Sequence, residues 1–209
     1  MAHTVEKIGG TSMSRLDELR DTLFLRDGAV RYGRVFVVSA FGGITDLLLE
    51  HKKTGEPGVY AAFANACGNH GWHAALARVE AAMTEAQERL LTHPADRDRA
   101  QGFVRDRIDG ARNCLIDLQR LCSYGHFRLA EHMLHIRELL SGLGEAHAAL
   151  VAVLLLQRAG VNARLVDLTG WRDGRDLTLD ERLTTAMEDV DPATEMAVVT
   201  GYAQCREGL

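Results

Sequence analysis

No stretch of this 209-residue chain looks apolar for long enough to cross a bilayer. The longest run, Ala148 to Leu156, falls far short of the roughly 18 residues a span needs. The N-terminus, Met-Ala-His-Thr-Val-Glu-Lys, has no basic segment followed by an apolar core, so no signal peptide is visible. Basic stripes are missing as well. The net charge of −5 is spread along the chain, which argues against nucleic acid and against a membrane surface as partners. Cysteine is scarce: Cys67, Cys114, Cys122 and Cys205 are scattered without a CxxC pair and are expected to remain thiols. There is no fixed-period repeat, no low-complexity tract and no Gly-x-Ser-x-Gly hydrolase elbow. What remains is a cytoplasmic globular protein, long enough for one well-buried domain with a possible appended subdomain.

Four short segments read as buried parallel strands: His3–Ile8, Val35–Ser39, Ala163–Asp167 and Met196–Thr200. Each is apolar in its middle and separated from the next by helical sequence, the pattern of an α/β sheet sandwiched by helices. Between the second and third strands, roughly residues 60–145 read as a helical insertion. Its first apolar stripe is Leu76, Val79, Met83, Ala86 and Leu90, and its second is Val104, Ile108, Ala111, Leu115, Leu118 and Cys122. Leu129, Met133, Ile136 and Leu140 form a third. Pro94 and the pair Tyr124-Gly125 divide them. Ser14 with Asp17 approximates a capping box, and Thr178-Leu-Asp-Glu181 matches one fully.

Chemistry concentrates where strands end. The first strand closes in Lys7-Ile8-Gly9-Gly10-Thr11-Ser12, ahead of a helix. Adjacent glycines let backbone N–H groups approach an anion, and a preceding lysine can reach a phosphate as a point charge. An ordinary strand-to-helix turn explains the same residues, because a lone glycine pair is weak evidence. The second strand repeats the device in Ser39-Ala-Phe-Gly42-Gly43-Ile-Thr45-Asp46, where Thr45 could be a plain N-cap. Two such turns at the ligand-binding edge of an open sheet reinforce each other. Leu140-Ser-Gly-Leu-Gly144-Glu145 reads as a break, with Glu145 opening the apolar helix Ala146–Leu156. There the carboxylate either answers the helix dipole or faces the strand ends to pair with a substrate ammonium.

Cys67, His70 and His73 have a spacing a metal could use but lack a convincing fourth ligand, and His132 with His135 lack a third. No metal site is assigned. Asp180 and Glu181 read as a helix start rather than as paired catalytic carboxylates.

Taken in order, Lys7-Ile-Gly-Gly-Thr-Ser12, Val-Ser39-Ala-Phe-Gly-Gly-Ile-Thr45 and Leu-Gly144-Glu145 resemble the motifs of aspartate kinases, and the likeness extends to Gly201. Val5-Glu6-Lys7-Ile8-Gly9-Gly10, Asp167-Leu-Thr-Gly-Trp171-Arg172-Asp173 and the segment Thr200–Gly208 are similar to the branch associated with ectoine synthesis. The mainstream family carries phenylalanine where Ile8 stands. The resemblance implies the amino-acid-kinase fold and transfer of the ATP γ-phosphate, with Mg²⁺, to the side-chain carboxylate of L-aspartate. By position it implies a phosphate-binding loop at Lys7, Ile8, Gly9 and Gly10, with Lys7 catalytic, and an aspartate site at Ser39, Thr45 and Glu145. It further implies that residues 1–209 are the N-terminal part of such a kinase domain. The nucleotide-binding half and regulatory domains would lie beyond, and the isolated chain would not turn over. Self-association, or association with that C-terminal part, is the expected assembly. Two alternatives stay open: another enzyme of the same fold acting on a different acidic metabolite, or a non-catalytic binding or assembly module.

Overall fold

The computed structural model describes residues 4–26, 28, 31–65 and 71–208. Cys67 and His70 of the candidate metal spacing lie outside the described residues, while His73 stacks on Trp72.

Four strands form one parallel sheet in the order β1 (Thr4–Ile8), β2 (Arg34–Val38), β4 (Met196–Thr200), β3 (Ala163–Val166). Every residue of β4 is buried, as expected for an interior strand covered on both faces. One face, through Ile8, Phe36, Val38, Met196 and Val198, packs into the main core beneath the helices. The other, through Ala197, Val199 and Val166, meets Leu183, Ala186 and Met187 of helix Leu179–Met187 in a smaller core.

After β1 come α1 (Gly10–Met13), α2 (Leu16–Leu19) and a π-helical turn, Arg20–Phe24. After β2 come α3 (Ile44–Leu48), α4 (Val59–Ala64), α5 (Gly71–Leu90), α6 (Pro94–Ser123), a 3₁₀ turn Leu129–His132 and α7 (Met133–Arg158). The helix Leu179–Met187 is α8. The apolar stripes are core: Leu76, Val79 and Met83 on α5 and Val104, Ile108, Ala111 and Leu115 on α6 are fully buried. Pro94 occupies the first turn of α6, and Gly125, at φ 75°, follows its end. Thr178 and Glu181 complete the anticipated box: the Glu181 N–H donates to Thr178 Oγ1 at 3.2 Å, and the Thr178 N–H to Glu181 Oε2 at 2.8 Å.

Three expectations change. Gly142 and Gly144 do not break a helix; α7 runs continuously from Met133 to Arg158. A Cβ on Gly142 would sit 2.9 Å from Thr169, and one on Gly144 would sit 2.8 Å from Ile44 Cγ2, so both glycines serve close packing. Glu145 therefore lies in mid-helix, and the helix-dipole explanation of it falls. Ser14 is not the N-cap of α2: that position is Arg15, without a side-chain cap hydrogen bond, and Ser14 closes α1 as its C-cap. Finally, helical residues Leu129–Arg158 are long and apolar enough to span a membrane by composition, although the unbroken apolar run within them is short. The most apolar window of that segment is 83% buried inside the protein, the signature of a core helix.

Not every helical glycine is packed. On α6, an added Cβ at exposed Gly102 meets nothing within 4 Å. Gly102→Ala is expected to stabilise the fold by about 0.5–1 kcal/mol, through helix propensity and a less flexible unfolded chain. A thermal or urea midpoint that fails to rise would count against this.

Candidate functional site

α7 packs against β2, β3 and β4, and its Glu145 reaches the C-terminal end of β4. The two glycine turns are in contact: a Cβ on Gly10 would lie 2.8 Å from the Ala40 carbonyl oxygen. Ser14 joins them from beside. Its hydroxyl donates to the Gly10 carbonyl at 3.2 Å and accepts the Gly42 N–H at 2.9 Å. Nothing local signalled this role, because the partner lies 28 residues away.

The second turn reverses sharply at Gly43, whose φ of 85° is the left-handed region that favours glycine. Gly43 is the N-cap of α3, so Thr45 stands inside the first helical turn, half-buried, and is not the cap. Ser39, also half-buried, donates its N–H to the Ile8 carbonyl at 3.0 Å, fastening the second turn to the end of β1.

Glu145 reaches this edge from α7. Its Oε2 accepts the Tyr202 N–H, and its carboxylate oxygens lie 3.3 and 3.4 Å from where a Cβ of Gly201 would be. Gly201 in turn donates its N–H to the Val38 carbonyl at 2.9 Å. Burial pushes the Glu145 carboxyl above the usual glutamate range, opposed by the Tyr202 amide and by the positive charge of Lys7. The Lys7 side chain is exposed and makes no hydrogen bond or ion pair among the described residues. Gly144, next to Glu145, packs on Ala40 and Ile44, the flanks of the second turn.

Two supports were not foreseen. His147, two residues after Glu145 on α7 and fully buried, backs Phe41 edge-on at 5.6 Å, with a ring nitrogen 3.2 Å from Gln87 Oε1. Burial drives its pKa down to about 3, so it is a neutral structural group. The Asp167–Asp173 segment is a lock. Arg107 of α6 ion-pairs with Asp167, donates to Thr169 Oγ1 at 3.2 Å, and lies 4.6 Å from the ring centroids of both Phe103 and Trp171. It holds the turn after β3 against α6.

No family model matches the chain. The aspartate kinase Ask_Ect of Stutzerimonas stutzeri (strain A1501) is 50% identical over 99% of this chain, which covers 44% of that relative. The crystal structure of E. coli aspartokinase III in complex with aspartate and ADP (R-state) superposes with a TM-score of 0.59 at 19% identity. That match covers 99% of this chain and 42% of the other. The chain has the amino-acid-kinase fold, and half of its residues are identical to those of that aspartate kinase. It spans less than half the length of the curated relative it matches. Of the residues singled out by the resemblance, Gly10, Ser39, Glu145 and the charge of Lys7 converge at one sheet edge, with Thr45 on the adjoining turn.

Proposed function

We propose that this chain carries the acceptor side of an ATP-dependent kinase that phosphorylates the side-chain carboxylate of L-aspartate, giving 4-phospho-L-aspartate. The carrying observation is Glu145: a half-buried carboxylate held by the Tyr202 amide, beside both glycine turns and within the field of Lys7. In this reading Glu145 pairs with the α-ammonium of aspartate. The Ser39 and Thr45 hydroxyls orient its carboxylates, and the reacting oxygen is presented toward Lys7. Transfer between two anions needs charge neutralisation and in-line positioning more than covalent chemistry. Lys7 supplies the positive charge.

The residues fit a nucleotide phosphate. Lys7 is uncommitted, and the amides of Gly10, Thr11 and Ser12 in the first turn of α1 have no intrahelical acceptor. ATP supplies the phosphoryl group. Among the described residues no three His, Cys, Asp or Glu side chains gather around one point, so Mg²⁺ would be held chiefly by the phosphates. The motifs around Lys7, Asp167–Asp173 and Thr200–Gly208, with the relative named Ask_Ect, support the ectoine-associated branch.

Calorimetric titration with L-aspartate should give saturable heat, and N-acetyl-L-aspartate, lacking the ammonium, should give none. Equal heats from the two, or no heat from L-aspartate, would overturn the reading.

A further inference from the structure

A cleft of about 410 Å³ adjoins the Gly42–Gly43 turn, and neither Lys7, Thr45 nor Glu145 lines it. One wall is a single face of α5, and the other is formed by α3 and the following loop to Pro57. Its floor is apolar, with Phe41, Leu47, Ala82 and Ala86. Above the floor, the guanidinium of Arg78 and the carboxylates of Glu85 and Glu56 make no ion pair or side-chain hydrogen bond among the described residues. Glu85 stands seven positions after Arg78 on α5, about 10 Å along the axis. Arg78 and Glu85 are thus held apart over an apolar strip; of the other charged groups lining the cleft, Asp46 faces His51 at 3.9 Å and Arg89 donates to the Ser14 carbonyl.

This arrangement complements a flexible molecule with a carboxylate at one end, an ammonium at the other and methylenes between. We infer that the cleft is a second small-molecule site, taking such an ω-amino carboxylate with its carboxylate on Arg78 and its ammonium on Glu85. The site is wired to the turns. Arg89, further along the same face of α5, donates to the Ser14 carbonyl at 3.0 Å, and the Ser14 hydroxyl bridges Gly10 and Gly42. Gly42 and Gly43 themselves line the cleft. A ligand that shifts α5 against α3 therefore bears on both turns. Existence of the site does not rest on the kinase reading; its influence on aspartate binding does.

The probe is 6-aminohexanoate, titrated into the whole chain by calorimetry and by amide NMR. Saturable binding is expected, with the Gly42 and Gly43 amides shifting. Arg78→Ala and Glu85→Gln should each weaken it by about tenfold or more. Both positions are solvent-exposed, and circular dichroism verifies that the variants fold. Arg78→Ala should leave the L-aspartate heat as in the parent, which separates this site from the aspartate reading. Absence of saturation at about 50 mM, affinity indifferent to both substitutions, or equal binding of hexanoate and hexylamine would overturn the proposal.

Discussion

Glu145→Gln is expected to remove L-aspartate binding while leaving the fold at least as stable at neutral pH. Glutamine keeps a carbonyl oxygen for the Tyr202 N–H, so the position of the side chain is conserved. Only the charge goes. Burial raises the Glu145 carboxyl above its ordinary value of 4.5, so folding favours the protonated form. That contribution is fully present below the unfolded value and is lost as pH rises through the folded one. Ionised Glu145 is therefore a cost to the fold at pH 7, which glutamine relieves.

Binding moves the other way. Loss of one partner of a desolvated charge pair costs about 2–5 kcal/mol, or roughly thirtyfold to several thousandfold in affinity. In the parent chain, aspartate affinity should begin to fall on acidification at a higher pH than an exposed glutamate would set, and the variant should lack that limb. Thermal unfolding at pH 7 and titration across pH test both halves. Retained aspartate affinity in Glu145→Gln would remove this residue from the site.

Some of this molecule is written in local sequence and some is not. Met196–Thr200 coincides with its strand because an interior strand is an apolar run between breakers, which needs no knowledge of neighbours. The Thr178–Glu181 box is equally legible, since all its partners lie within four residues. Ser14 and Asp17 have a similar pattern, yet the Ser14 hydroxyl bonds to Gly10 and Gly42 instead. Which of two sound hydrogen-bonding options a serine takes is decided by what folds against it.

Glycine is ambiguous in the same way. Flexibility suggests a break at Gly142 and Gly144, while packing requires a hydrogen where Thr169 and Ile44 press in. The ordered motifs were enough to anticipate turns gathering at one sheet edge. They could not show that the Tyr202 amide holds Glu145, or that neutral His147 backs Phe41. Those contacts join residues far apart in the chain, 57 positions in the case of Tyr202 and Glu145.

Gly144→Ala should act opposite to Gly102→Ala, although both place alanine in a long helix. Helix propensity favours alanine by about 1 kcal/mol in either case. At Gly144 the new methyl would lie 2.8 Å from Ile44 Cγ2, 2.9 Å from Ala40 Cβ and 3.4 Å from Leu48 Cδ1. Those three residues are 3%, 4% and 0% exposed, so none can move aside into solvent. Overpacking of this kind costs about 1–3 kcal/mol, enough to cancel the propensity gain and reverse its sign. Relief must come by moving α7 away from α3, or by displacing Ala40 and Ile44. Either movement separates Glu145 from the turn that carries Ser39 and Thr45. The variant is therefore expected to lose stability and aspartate affinity together, where Glu145→Gln loses affinity alone. Denaturant midpoints and aspartate titrations of the two variants, measured side by side, distinguish a displaced pocket from an uncharged one. A Gly144→Ala chain as stable as the parent, with aspartate affinity intact, would mean that α7 does not set the spacing of this site.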